Sequence, residues 1–86
     1  MPAKTADEVE VLCFLGHIAA LWEQLPDQSS PKRQLVANHL FGAQLLMECA
    51  LEELEEGDSD RLQDLMTHAY EHLDQAMQVE GVLQDL

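Results

Sequence analysis

His68 and His72 stand four residues apart, the spacing that stacks two imidazoles on one side of a helix, and Asp64 extends the row by a turn. Cys13 and His17 repeat that spacing near the other end of the chain. Neutral imidazole and thiolate are ligands that zinc favours, so Cys13, His17, His68 and His72 are the four residues through which two helices could close a zinc site. Neither pair belongs to a Cys-x-x-Cys signature, and pairs at this spacing arise readily by chance. The expectation is therefore no metal and no cofactor, with surface histidines partnered by Asp64, Glu71 and solvent.

Nucleophilic chemistry is less well supplied. Cys49 has Glu48, Glu52 and Glu53 within a turn, and carboxylates so placed disfavour a thiolate. His39 falls beside Ala43 and Leu46, where a half-buried, hydrogen-bonded histidine is the simplest account. Both cysteines read as small core residues, reduced, in a cytoplasmic protein. Glu52 and Glu53 are neighbours on a helix, so their side chains diverge and do not make a glycosidase pair. No glycine-rich phosphate loop occurs, and no catalytic residue is expected.

What the chain has in abundance is carboxylate. Seventeen acidic residues oppose four basic ones among 86, a formal net charge of −13. Glu48, Glu52, Glu53, Glu55, Glu56, Asp58, Asp60 and Asp64 fall within one stretch, opposed there by Arg61. Such a surface repels nucleic acid and anionic membrane and draws basic partners over roughly 8 Å, the screening length at physiological ionic strength.

These groups must be carried by helices, because nothing alternates like a strand. Thr5 to Glu8 reads as a capping box that starts helix 1, about residues 6–25, with Val11, Phe14, Leu15, Ile18, Leu21, Trp22 and Leu25 on its main stripe and Pro26 ending it. Leu12, Cys13, Gly16, Ala19 and Ala20 give that helix a second, small-residue face on which another helix could pack. Ser30-Pro31 opens helix 2, about 31–56, whose core stripe is Val36, Leu40, Ala43, Met47, Ala50, Leu51 and Leu54, flanked by Leu35, His39 and Leu46. Phe41 and Leu45 fall outside it, an apolar pair among Asn38, Gln44, Glu48 and Glu52. Asp58 to Asp60 starts helix 3, about 59–80, on the stripe Leu62, Leu65, Met66, Ala69, Leu73, Ala76, Met77. Short connections make the whole an all-α, up-down-up three-helix bundle in one domain. No apolar stretch is long enough for a bilayer, and the residues before Val11 carry the wrong charge for a signal peptide.

Helix 2 runs against its own dipole, with Lys32 and Arg33 in the first turn and Glu52, Glu53, Glu55 and Glu56 in the last, whereas helices favour the reverse. Lys32 and Arg33 are expected to meet Glu23, Asp27, Glu80 and Asp85. Local conflict of this kind often marks a partner. The reading is a non-enzymatic inhibitor or modulator that presents Glu48 to Asp64 to a basic protein, with Phe41 and Leu45 as anchors. In mode it is similar to small acidic inhibitors that imitate a phosphate backbone, some anti-CRISPR proteins among them, although no family motif is present. The competing reading is a homodimeric adaptor or chaperone-like subunit built on the second face of helix 1, its charge serving solubility.

Overall fold

The computed structural model describes residues 6–83. The capping role expected of Thr5, the pairing expected of Asp85 and the place of Leu86 lie outside them. Three helices are present, α1 over Ala6–Glu23, α2 over Pro31–Glu56 and α3 over Ser59–Gln78, in an all-α bundle with no strand among the described residues.

The boundaries follow from backbone chemistry. At the start of α2 the Ser30 hydroxyl accepts a hydrogen bond from the Arg33 N–H at 3.2 Å, and Pro31 takes the first helical position, where a missing N–H leaves nothing unsatisfied. The Asp58 carboxylate caps α3 in the same way, accepting from the Arg61 N–H at 3.1 Å. Gly57 closes α2 with φ +82, a left-handed conformation that any other L-residue adopts at a cost, and its N–H reaches the Glu53 carbonyl. Two ends come earlier than the periodicity implies. α1 stops at Glu23, because proline disfavours helical geometry in the residue before it, yet Leu25 still turns inward and is buried. α3 stops at Gln78, where Val79 becomes extended, and Val82 and Leu83 fold back onto the core.

One end of the core gathers Val11, Phe14 and Ile18 from α1, Ala43, Met47 and Ala50 from α2, and Leu62, Met66 and Ala69 from α3. The other gathers Leu21, Leu25, Val36, Ala37, Leu40 and Ala76. Alanines at 43, 50, 69 and 76 let the α2 and α3 backbones approach closely. α1 rides on that hairpin through longer side chains: Phe14 meets Tyr70 edge to face with ring centres 4.8 Å apart, the Tyr70 hydroxyl donates to Glu10 Oε1 at 2.8 Å, and Trp22 Nε1 donates to Gln44 Oε1 at 2.9 Å. Burial and that carboxylate push the Tyr70 hydroxyl pKa up to about 12. The radius of gyration is 13.8 Å, against about 12 Å for a rounded chain of this length, because a 26-residue helix sets the long axis.

Three expectations need correction. Cys13 and Cys49 are exposed and do not serve as core residues. Leu35 is not on a buried flank but 48% exposed. Helix 1 is not covered on two sides: among the described residues nothing packs on its second face, where Leu12, Cys13, Gly16 and Ala19 are exposed with Val9, Ala20 is half-buried, and a Cβ built on Gly16 meets no neighbouring atom within 4 Å. Three helices supply enough surface to cover one side of each, and α1 spends its covered side on Val11, Phe14, Ile18 and Leu21.

Candidate functional site

The antiparallel arrangement sets the start of α1 beside the corner where α2 ends and α3 begins. That adds Asp7 and Glu8 to the acidic stretch, and all three helices then contribute to one open groove of about 250 Å³ lined by Asp7, Glu8, Glu53, Leu54, Gly57, Asp58, Ser59 and Leu62. Leucine side chains form its apolar part and carboxylates its rim. The sequence signal for the two added acids was their position in the first turn of α1, which an up-down topology places opposite the last turn of α2.

Within this corner the carboxylates are not equivalent. Glu52, Glu55, Glu56, Asp58, Asp60 and Asp64 are exposed, as a docking surface requires, and so is Glu48, which accepts from Gln44 Nε2 at 3.2 Å. Glu53 departs from that pattern at 8% exposure. Its Oε1 accepts from Arg61 Nε at 3.1 Å, while Oε2 is buried without a hydrogen-bond donor among the described residues. Burial is the main cause of a pKa raised above the usual 4.5, reinforced by the charge of neighbouring Glu56, by a carboxyl–carboxyl hydrogen bond with Glu56 that favours the protonated form and, more weakly, by Asp58, with Arg61 opposing. Arg61 is two-thirds exposed and cannot fully neutralise a carboxylate beneath it. Among the described residues the corner holds more carboxylates than basic side chains.

Phe41 and Leu45 are 54% and 45% exposed. On a helix they share a side with Glu48 and Glu52, so the outer face of α2 passes from apolar to acidic along its length. Between Leu45 and Glu56 the rise is about 16 Å, a span that one partner surface can cover.

The basic pair at the opposite end is partly absorbed internally. Arg33 binds Asp27 at 2.8 Å, and the Asp27 pKa is lowered chiefly by hydrogen bonds from Ser29, with Arg33 adding to the effect.

The four residues spaced for zinc are not brought together. Cys13 is exposed, His17 is half-buried with Nε2 lacking a partner among the described residues, and His68 is exposed with Nδ1 at 2.7 Å from the Asp64 carbonyl. His72 turns away from His68 toward α2, where its Nδ1 lies 3.2 Å from Nδ1 of His39. Among the described residues no group of three or more histidine, cysteine or acidic side chains could hold a metal ion. His39 is the half-buried, partnered histidine its position implied, but the identity of its partner depends on the register of α2 against α3, which no sequence pattern reveals.

No helix among the described residues is long and apolar enough to cross a membrane. No protein-family model matches the chain, and no curated protein or solved structure matches it either.

Proposed function

We propose that the protein is a non-enzymatic binding module, an inhibitor or modulator that offers its acidic corner to the basic groove of a nucleic-acid-binding protein. The observation that carries this reading is the acidic corner itself: carboxylates from α1, α2 and the N-cap of α3 around one groove, with Glu53 buried and its pKa raised. A partner's lysine or arginine fits such a place, its methylenes against Leu54 and Leu62 and its cationic head among the acids. Phe41 and Leu45 then add apolar contact beyond the charged zone.

The test uses immobilised protein and a nucleic-acid-binding fraction. Retained proteins should be released by rising salt and by added duplex nucleic acid, because both compete for the same cationic surface. The triple reversal E52K/E55K/E56K changes only exposed residues, so it should keep full helicity and retain nothing. Retention that survives the reversal, or that ignores salt, refutes the reading.

A second reading rests on the open face of α1, where Val9, Leu12, Cys13, Gly16 and Ala19 lie uncovered. There a second copy would bury the small-residue surface and the charge would serve solubility alone. Light scattering that gives twice the chain mass favours it.

A further inference from the structure

His39 and His72 approach from different helices, with ring centres 5.4 Å apart, planes inclined by 41° and Nδ1 atoms at 3.2 Å. Both rings are half-buried in the seam between α2 and α3. The His72 ring is supported from beneath, because it lies over Gly42 so closely that a Cβ there would stand 3.4 Å from Cδ2, Cε1 and Nε2. A Cβ at position 42 would just touch the ring, and a longer side chain would compete with it for space. One N–H···N hydrogen bond accounts for the pair in the absence of any ligand, one ring donating and the other accepting.

The same two atoms also have the bite of a chelate. With metal–nitrogen bonds of about 2.0–2.1 Å, donors 3.2 Å apart subtend about 100° at a shared ion, near the tetrahedral angle zinc adopts; ring centres 5.4 Å apart leave the two Nδ1 atoms nearly facing each other, so both rings must pivot to aim their lone pairs at that ion. We propose that His39 and His72 form a two-imidazole site for a borderline divalent transition metal of the zinc class, bound through both Nδ1 atoms, with water completing the coordination. Each neutral imidazole keeps its single proton, so the ring that donates in the free protein moves that proton to Nε2 as the ion enters, and the pair itself releases none. Imidazole nitrogen selects such ions over magnesium and calcium, which the surface carboxylates attract by charge alone. The site is remote from the acidic corner and stands independently of the function proposed for it.

Zinc chloride titrated into 15N-labelled full-length protein, with magnesium in large excess to saturate the carboxylates, tests this by the ring-nitrogen resonances. The expected result is that His39 and His72 shift together to ligated Nδ1 with protonated Nε2, saturating at one ion per chain, while His17 and His68 do not move. Zinc should raise the thermal midpoint of the parent and of H68Q, and leave that of H39Q and H72Q where it was. Unchanged Nδ1 resonances in the parent overturn the proposal even if neither variant folds, and so does ligation of His72 through Nε2 together with His68.

Discussion

Replacing Gly16 with alanine is the sharpest probe of whether the second face of α1 is open. Glycine inside a helix costs about 1 kcal/mol relative to alanine, because its backbone has more freedom to lose on folding. The substitution ordinarily risks a clash, but here the added Cβ meets nothing within 4 Å. G16A should therefore stabilise the chain by about 1 kcal/mol. With 86 residues, each contributing about 2.1 cal/mol/K to the unfolding entropy, that is about 5–6 °C in the thermal midpoint. Far-UV circular dichroism melts of parent and variant, each at several protein concentrations, read it directly. An unchanged or lowered midpoint refutes the reasoning. If the lowering comes with loss of a dimer mass in light scattering, the face is closed by a second copy at the position where only glycine fits.

Two further outcomes follow from the core and the corner. Leu40 is fully buried in the end of the core formed with Leu21, Leu25 and Val36, so L40A should cost about 2–5 kcal/mol in urea unfolding; a loss under about 1 kcal/mol would contradict that packing. Glu53 has a pKa raised on folding, so the native state binds its proton more tightly than the unfolded chain does. Its contribution to stability is fully present below 4.5 and is lost as pH rises through the higher native value. E53Q should accordingly be more stable than the parent at neutral pH, with the difference shrinking as pH falls toward 4.5; a difference independent of pH would show that the carboxylate is not the strained group.

Much of this architecture is legible in the chain. Ser30, Pro31, Gly57 and Asp58 mark their helix ends because capping is a local bargain between a side chain and a few orphan backbone groups. The core stripes follow from a period of 3.6. What was harder to see depends on how the helices meet. Glu53 lies three residues beyond Ala50 and seven beyond Leu46, so its buried side was written in the spacing, but its charge argued for solvent and only the arrival of α1 and Arg61 decides the matter. The exposure of Cys49 was available from Leu45 four residues earlier on the same outer face. Cys13 was not: an apolar face predicts a neighbour without saying whether the chain can supply one. The His39 to His72 contact requires the register between α2 and α3, a property of two interdigitated surfaces and not of either sequence segment.

The unequal seams of the bundle bear on how it assembles. α2 and α3 touch along alanines through a turn of two residues, which makes them a nearly local unit that can form early, whereas α1 must be recruited across a longer loop and is held by aromatic and polar tips. Hydrogen exchange would then find the first helix surrendering its amides soonest, a latch at rest on a hairpin that outlasts it.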